Sequence, residues 1–520
     1  MLVSVSMLLM GCTGSGGAAY TLHLNPVVAN PQAPFDGLDR IDLVLTPADG
    51  DPLRVPLDAP TSGSTPEVTG LPELIDTTIT VEGYRDGDRV LRGLTEPLTA
   101  TSGVVEATVF VASTEATAWM GALSDGLHIP MLAPLGGGRF WLAGGLTNDL
   151  NNAPGKGQKS IYTLTLAPPG EGLAFTNVGD LPAYETNDGA SETTRVGAGC
   201  TQLTVSGADQ GKLLVTGGAA RDPLGDGGEA STAVSLYDPT TDTWEDLPPL
   251  STLEDPRVQH LAGENLLGNV VVWGGYGPQA RGGGVSLNNS IEYYDRGNRR
   301  FTSLGETNLG PLDAMMADLG ADGTLICGGA DIDDSVWSSV SSCVRVRLDG
   351  SGIDGFESML EGVAGASMVT LADGKVLVTG GAAAEGASTS DDIGALDSAW
   401  LYNPSTGRWG ALAATMKIPR AGHRTVLLAD GRVLVVGGAQ TYNSNVFPAD
   451  PVRCLEIYDP VASTFELADG CTPTEEAGGL PGGALLPQVA YDPDYGVLIV
   501  GGVGADGSAQ SGVSLFVPEL

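Results

Sequence analysis

Short apolar runs alternate along this chain with clusters of glycine, proline and aspartate, and the alternation predicts β-strands separated by tight turns. Seven of these runs end in a Gly-Gly pair, as in KVLVTGG. Successive pairs are 73, 57, 54, 52, 57 and 64 residues apart, and they begin at Gly144, Gly217, Gly274, Gly328, Gly380, Gly437 and Gly501. A period of this length is typical of β-propellers and longer than that of helical solenoids.

Each unit also contains two predicted hairpins. Before the Gly-Gly pair, Asp430-Gly431 in LLADGRVLVVGG forms the turn between two strands. After the pair, a tyrosine is followed seven residues later by a second aromatic residue, with turn residues between them. This spacing occurs at Tyr237 and Trp244, Tyr294 and Phe301, Tyr402 and Trp409, and Tyr458 and Phe465. Two hairpins per unit predict a four-stranded antiparallel blade.

The order of strand, Gly-Gly, tyrosine and tryptophan resembles the kelch repeat and the galactose-oxidase-like propellers over roughly residues 117–520. The resemblance implies an all-β fold with a seven-bladed kelch-type β-propeller, which we assign to residues 115–520. A glycine-rich β-solenoid is the alternative, although such repeats are shorter and lack paired aromatic residues.

The last unit ends at Phe516-Val517-Pro518, before a fourth strand and its aromatic residue. We predict that residues 117–120 supply that strand, with Trp119 in the missing aromatic position. Such a strand joins the two ends of the propeller and hides the edges that an open ring would expose.

The region before the repeats is organised differently. Residues 19–114 contain alternating runs such as RIDLVL between turns such as RDGDR, and these predict a small Ig-like or transthyretin-like β-sandwich that acts as a spacer. Residues 1–18 begin with an apolar stretch that is too short to span a bilayer and is typical of a signal peptide, followed by a flexible segment.

The sequence Leu9-Met10-Gly11-Cys12 resembles a bacterial lipobox, which implies lipid attachment at Cys12. The order of a lipobox, a sandwich and a propeller is similar to that of bacterial kelch-containing lipoproteins. We therefore expect a protein exported to the bacterial outer membrane or cell surface and held there by a lipid anchor. No lysine or arginine precedes the apolar stretch, so an ordinary cleaved signal peptide is the alternative.

Charge limits the partners. The chain has 63 acidic and 25 basic residues, a net charge of −38, which would repel the phosphates of nucleic acids. Cysteine placement suits an oxidising compartment, because two pairs are predicted to lie on neighbouring strands and form disulfides. The pairs are Cys327 with Cys343 and Cys454 with Cys471, and Cys200 is left unpaired. No CxxC motif or Cys/His cluster predicts a metal site.

Basic residues near the start of several units are candidates for a binding site. His260 and His423 stand near the first strand of their units, and Arg257 and Arg420 precede them by three residues. Arg195 occupies a comparable place in its own unit. We predict that these five residues bind an acidic or hydroxylated ligand. In the structural alternative, each arginine offsets local acidity or bonds to a neighbouring loop.

The family resemblance also implies an enzyme as an alternative function. Copper radical oxidases of the galactose-oxidase type need two histidines, two tyrosines and a cysteine cross-linked to one tyrosine. His128, His260 and His423 fall in different units, and no Tyr-Cys constellation accompanies them. No Gly-x-Ser-x-Gly or His-Glu-x-x-His motif is present either. An oxidase or lyase that uses the propeller channel is therefore the alternative function.

The long insertions after several Gly-Gly pairs are expected to carry specificity, as loops on rigid scaffolds often do. Calcium binding is an alternative for the carboxylates of Asp331-Ile332-Asp333-Asp334, although no complete calcium loop is present. No other cofactor is expected. We predict a monomeric, non-catalytic platform of the cell envelope that binds a protein or a glycan and touches the membrane through its lipid anchor only. A calcium-stabilised structural component is a further alternative.

Overall fold

The computed structural model describes residues 20–28, 35, 37–58, 67–69, 71, 74–95, 97–100, 103–147, 156–166, 173–185, 191–220, 230–245, 247–248, 251–277, 287–333, 336–388, 391–443, 450–468, 471 and 479–519. Regular structure in these residues is β-strand apart from one 3₁₀ turn at Gly320–Asp322, so the all-β prediction is confirmed. None of the described residues belongs to a helix that could cross a membrane. The predicted signal peptide and Cys12 lie outside the described residues.

The first eight strands form one hydrogen-bonded sheet. They are β1 (Tyr20–Val28), β2 (Arg40–Pro47), β3 (Leu53–Asp58), β4 (Glu67–Thr69), β5 (Leu74–Arg85), β6 (Asp88–Thr95), β7 (Leu98–Ala100) and β8 (Gly103–Ser113). Their order is β3-β2-β5-β6-β8-β1-β4, with β7 paired to β5, and β1 runs parallel to β8. We call this the N-terminal sheet.

Alternating apolar residues of the N-terminal sheet form its core, as the sequence pattern requires. Ile41, Leu43 and Leu45 of β2 are buried together with Ile79 and Val81 of β5. A sandwich has two separate sheets, whereas hydrogen bonds connect all eight of these strands. The Ig-like or transthyretin-like class stays a prediction.

The remaining strands are short and follow one another closely. They are β9 (Ala116–Ala122), β10 (Met131–Gly136), β11 (Arg139–Ala143), β12 (Leu146–Thr147), β13 (Lys156–Gly157), β14 (Ser160–Leu166), β15 (Leu173–Asp180), β16 (Tyr184–Glu185), β17 (Ser191–Glu192), β18 (Gly199–Gln202), β19 (Leu213–Thr216), β20 (Val234–Asp238), β21 (Thr243–Glu245), β22 (Leu261–Glu264), β23 (Val270–Trp273), β24 (Ser290–Asp295), β25 (Arg300–Glu306), β26 (Met315–Asp318), β27 (Thr324–Cys327), β28 (Ala330–Asp333), β29 (Val336–Ser339), β30 (Cys343–Val346), β31 (Ile353–Phe356), β32 (Ser367–Thr370), β33 (Val376–Thr379), β34 (Ala387–Ser388), β35 (Ile393–Gly394), β36 (Ala399–Asn403), β37 (Arg408–Ala411), β38 (Ala421–Leu427), β39 (Val433–Ala439), β40 (Thr441–Tyr442), β41 (Glu456–Asp459), β42 (Thr464–Leu467), β43 (Gln488–Asp492), β44 (Gly496–Val500) and β45 (Gly512–Val517).

Most of these strands belong to four-stranded antiparallel sheets, of which the described residues form seven. We number them I (β10-β11-β14-β15), II (β18-β19-β20-β21), III (β22-β23-β24-β25), IV (β26-β27-β30-β31), V (β32-β33-β36-β37), VI (β38-β39-β41-β42) and VII (β43-β44-β45-β9). Their first strands contact one another in the order β10, β18, β22, β26, β32, β38 and β43, and β43 contacts β10. The sheets therefore surround a central channel, as in a propeller.

The Gly-Gly pairs explain how neighbouring sheets approach each other. In every unit the N–H of the second glycine donates to a carbonyl of the segment that enters the next sheet, as Gly381 does to Arg420 at 2.9 Å. Both glycines have positive φ, and a Cβ on Gly380 would lie 2.3 Å from that same carbonyl oxygen. Only glycine allows this contact. The last pair closes the cycle, because Gly502 donates to Leu127 before sheet I.

The paired aromatic residues of the sequence lie directly opposite each other on the third and fourth strands. Their ring centroids are 4.9 Å apart for Tyr237 and Trp244, 4.9 Å for Tyr294 and Phe301, 5.3 Å for Tyr402 and Trp409, and 4.7 Å for Tyr458 and Phe465. These rings fill the space between the outer parts of adjacent sheets, where aromatic pairs add stability beyond their buried area.

Strand β9 completes sheet VII by pairing with β45. The register places Thr117 opposite Phe516 and Trp119 opposite Ser514. The prediction that Trp119 fills the missing aromatic position is therefore wrong: its side chain is 55% exposed, and Phe516 packs without an aromatic partner across the strand. A register shift between Val513 and Ser514 accompanies this arrangement.

The N-terminal sheet contacts the propeller on the face away from the Gly-Gly pairs. Each Gly-Gly pair follows the second strand of its sheet. The turn that connects the first strand to the second is therefore at the opposite edge of the propeller from the Gly-Gly pair. In sheet VII this turn includes Tyr495, which packs in one apolar cluster with Leu94 of β6. In sheet VI the corresponding turn contains Arg432, whose guanidinium lies 2.7 Å from the carboxylate of Glu115.

Both predicted disulfides are confirmed. Cys327 is bonded to Cys343, which joins β27 to β30 in sheet IV, and Cys454 is bonded to Cys471 beside sheet VI. Cys200 is the free cysteine of the described residues.

We expect the two aromatic residues at the closure to differ sharply in their effect on stability. Phe516→Ala removes a fully buried ring and is expected to lower the free energy of unfolding by about 3–5 kcal/mol. Trp119→Ala removes a half-exposed ring and is expected to cost about 0.5 kcal/mol. Urea unfolding followed by circular dichroism measures both values, and equal losses would contradict the observed register.

Candidate functional site

The channel opens at the end where the Gly-Gly pairs lie, and seven equivalent residues surround this opening. Each belongs to the segment that enters a first strand and each has positive φ: Ile129, Gly197, Gln259, Asp313, Gly365, Gly422 and Leu486. Four backbone hydrogen bonds of 2.7–2.9 Å join members of this set, such as the bond from the N–H of Gln259 to the carbonyl of Gly197. Together with their neighbours they line a cavity of about 170 Å³, which we call the mouth cavity.

Positive φ is unfavourable for residues with side chains, at a cost of about 1–2 kcal/mol each. All seven equivalent residues have positive φ, and only three of them are glycine. The propeller therefore requires this backbone conformation whichever residue is present. In this conformation, each of the seven segments places one residue at the channel opening. In this chain, Gln259 and Asp313 bring polar side chains to the cavity.

Two of the described residues that line the mouth cavity are charged. Arg424 lies on β38, directly after His423, and its partly buried side chain forms no hydrogen bond or ion pair with any described residue. Burial lowers the pKa of Arg424, and the negative charge of Asp313 opposes this change. Asp313 in turn accepts a hydrogen bond of 2.7 Å at Oδ2 from the hydroxyl of Tyr442. No sequence motif indicated Arg424, Asp313 or Tyr442 as site residues.

Two carboxamides and the imidazole of His260 add to the polar lining. Gln259 and Gln488 both border the cavity, and neither side chain has a hydrogen-bond partner among the described residues. Trp273 and Leu486 contribute apolar surface to the wall. The cavity therefore combines one guanidinium, one carboxylate, one imidazole and two amides with an apolar wall, a composition that suits a small polar ligand.

Insertions from three sheets bring Tyr442 to this position. The insertion of sheet IV forms β28 and β29, which pair with β34 from sheet V, and β35 pairs with β40 from sheet VI. Trp337 of β29 is fully buried, with its ring centroid 5.3 Å from that of Tyr442. Tyr442 also packs over Gly365 at the cavity wall. No sequence signal links these insertions, because they are about 50 residues apart.

The predicted ligand residues Arg257 and Arg420 lie inside the sheets. Their guanidinium groups are each 2.6 Å from a buried carboxylate, that of Glu292 and that of Glu456 respectively. They also donate to carbonyls of their own sheets, including Gly437 at 2.9 Å from Arg420. Neither arginine has exposed surface. Their contacts match the structural alternative, in which arginine offsets local acidity and bonds to nearby loops.

Arg195 occupies the equivalent place in sheet II, and no described carboxylate pairs with it. Its Nη2 donates to Ser235 Oγ at 2.9 Å, and its guanidinium carbon lies 5.1 Å from the ring centroid of Tyr184. Burial lowers the pKa of Arg195 to about 10. Its side chain, 1% exposed, is also directed into the protein.

The two predicted histidines join neighbouring sheets. The Nε2 atoms of His260 and His423 are 2.8 Å from the hydroxyls of Thr216 and Thr379, which directly precede the Gly-Gly pairs of the sheets before them. Burial lowers the pKa of His260 to about 3 and that of His423 well below its usual value, with nearby arginines adding to the effect. Both rings are thus neutral. His260 alone of the five predicted ligand residues lines the mouth cavity.

The donor atoms do not fit a copper centre. His260 and His423 use Nε2 for threonine in separate sheets, and His128 is buried in a third. Across the described residues, no three His, Cys, Asp or Glu side chains are placed to hold a metal ion. Of the acidic cluster at 331–334, Asp334 lies outside the described residues.

Comparison with known proteins identifies the fold. No protein-family model and no curated protein matches the chain. Among solved structures, the chain is similar to YjhT, with a TM-score of 0.46 and 14% identity over 67% of this chain and 99% of YjhT. It is also similar to a fungal alcohol oxidase of the AA5 family in complex with copper, with a TM-score of 0.50 and 16% identity over 78% of this chain and 76% of the oxidase.

At 16% identity the likeness to the oxidase shows the fold alone, a kelch-like β-propeller. It carries no information on the chemistry of this chain. Membership of the kelch family stays a prediction.

Breaking one buried arginine pair is expected to destabilise the propeller strongly. Glu456→Gln leaves Arg420 buried without a counter-charge, so the free energy of unfolding is expected to fall by about 3–5 kcal/mol in urea titrations. Glu466→Gln, on β42 of the same sheet, is the control because that side chain is 70% exposed, and we expect a change of about 0.5 kcal/mol or less. A comparable loss in both variants would refute the role of the pair.

Proposed function

We propose that this chain is a lipid-anchored propeller of the bacterial cell envelope that binds a glycan without catalysis, and that the mouth cavity is its binding site. One observation carries the proposal. Arg424, Gln259 and Gln488 line the cavity without partners among the described residues, whereas Arg257 and Arg420 within the sheets are paired. Polar groups in partly buried sites are normally satisfied, so this unpaired set favours a ligand as the missing partner.

The placement of the N-terminal sheet supports a platform role. This sheet contacts the face of the propeller opposite the mouth cavity, as the contacts of Leu94 and of Glu115, two residues after the sheet, indicate. An anchor at Cys12, which precedes the sheet, would leave the cavity directed away from the membrane. The two disulfides support an oxidising compartment, and the net charge of −38 disfavours adhesion to anionic lipid surfaces.

The histidine contacts favour binding over catalysis. A general base must be able to accept a proton near neutral pH, but the pKa of His260 is lowered to about 3 by burial. Its Nε2 is also hydrogen-bonded to Thr216. For the oxidase alternative, the support is the similarity in fold. No described residues add support for the lyase or calcium alternatives.

Blocking the mouth cavity is expected to abolish glycan binding. Ala314 lines the cavity, whereas Val461, 95% exposed, lies on the β41–β42 turn at the far end of the channel. In a chain with Cys12→Ser and Cys200→Ser, we expect Ala314→Cys coupled to a bulky maleimide to lose binding on a glycan array. Val461→Cys coupled to the same reagent is expected to retain it. Binding that survives both modifications, or no glycan binding before them, would refute the proposal.

The lipid anchor has a separate test. When the chain is expressed in a bacterium fed with tritiated palmitate, we expect label in the wild type and in Cys200→Ser, because lipidation modifies the cysteine of the lipobox. Cys12→Ser is expected to carry no label. Label that persists in Cys12→Ser would remove the anchor from the proposal.

A further inference from the structure

We infer that the mouth cavity recognises a small hydroxylated carboxylate of the sugar-acid class, and that Arg424 binds the carboxylate group. The inference rests on the proposed function, because it assigns a ligand class to the same cavity.

Two of the three fully buried arginines among the described residues are matched with a carboxylate, and the third, Arg195, donates to a serine hydroxyl. Arg257 and Arg420 each lie 2.6 Å from a glutamate oxygen, and both partners are fully buried. The planar guanidinium offers a fork of donors that fits a carboxylate in two parallel hydrogen bonds. Arg424 is partly buried too, but no described residue accepts a hydrogen bond from its side chain. Its donors border the cavity, so the carboxylate that satisfies them belongs to a ligand.

The charges of the cavity disfavour a ligand with two negative charges. Among the described residues that line the cavity, Arg424 and Asp313 are the charged ones, so their charges cancel. A phosphate monoester carries nearly two negative charges at neutral pH, and the second would face Asp313 without a counter-charge. The net charge of −38 adds long-range repulsion against such a dianion. A carboxylate needs one positive partner, which Arg424 provides.

The remaining groups suit hydroxyls. Asp313 uses Oδ2 to accept from Tyr442, which holds the carboxylate in place and leaves Oδ1 as an acceptor. Gln259 and Gln488 each supply one acceptor and two donor hydrogens. A volume of about 170 Å³ is close to that of an engineered cavity of about 150 Å³ that binds the six-membered ring of benzene. The cavity therefore holds one sugar-sized group, either a free sugar acid or the terminal residue of a glycan.

Titration calorimetry with the purified full chain tests this assignment. The ligands are D-glucuronate, D-galacturonate and D-gluconate, with D-glucose as the neutral match and glucose 6-phosphate as the dianion. We expect at least one carboxylate to bind about tenfold or more tightly than glucose and glucose 6-phosphate, because a charge-assisted hydrogen bond contributes at least that factor. Methyl glycosides of the uronates separate the two sources: binding that survives glycosylation indicates a terminal glycan residue, and binding that is lost indicates a free acid.

Two arginine variants provide the control. Arg424→Gln is expected to remove the preference for the carboxylate, with near-ultraviolet circular dichroism unchanged. Arg408→Gln removes the same charge from an exposed position of sheet V and is expected to keep the preference. The assignment is overturned if no carboxylate binds more tightly than glucose, if glucose 6-phosphate binds best, or if Arg424→Gln retains the preference. In those cases the glycan-array result with the blocked cavity still decides the platform role separately.

Discussion

The hydrogen bond from the second glycine of each Gly-Gly pair to the carbonyl of the next sheet is the contact on which the propeller depends. It occurs in all seven units, at 2.8–3.3 Å, and the unit at Gly502 returns to Leu127 to complete the cycle. In each unit, a Cβ on the first glycine would come within 3.0 Å of that same carbonyl oxygen. A side chain at this place would push neighbouring sheets apart, so the glycines set how closely the sheets pack.

The same contact determines where a ligand site can form. The carbonyl that accepts the glycine N–H belongs to a segment whose third residue has positive φ and borders the mouth cavity, as Gln259 follows Arg257. The backbone of this segment is thus committed to packing, while the side chain at the third position is free to vary. Glycine, glutamine, aspartate, leucine and isoleucine all occupy it in this chain. A rigid ring of backbone therefore supports a variable polar surface.

Two arginines that are close in the sequence have different roles. Arg420 is enclosed by Glu456 and by carbonyls of its own sheet, whereas Arg424, four residues later, borders the cavity. His423 lies between them in the chain and turns toward Thr379 of the preceding sheet. Side chains alternate along a strand, so adjacent residues of β38 face different surroundings. Because Arg420 is enclosed with Glu456 and Arg424 borders the cavity, removing these two charges has different consequences.

Periodic features of this chain could be predicted from the sequence because they are local. The Gly-Gly spacing, the Asp-Gly turn and the seven-residue spacing of Tyr402 and Trp409 predicted the sheets and their hairpins, and cysteines on adjacent strands predicted the disulfides. The tertiary structure alone decided the register at Trp119, since a shift of two residues on an edge strand leaves the sequence pattern unchanged.

The composition of the mouth cavity also depends on the tertiary structure. Asp313, Arg424 and Tyr442 come from two sheets and an insertion, and their proximity depends on the closed ring and on the packing of Trp337 against Tyr442. Sequence alone identified arginine and histidine as the residue types at the start of the units, but it could not tell a side chain enclosed by a neighbouring glutamate from one that borders the channel. That distinction depends on long-range packing, which no local spacing encodes.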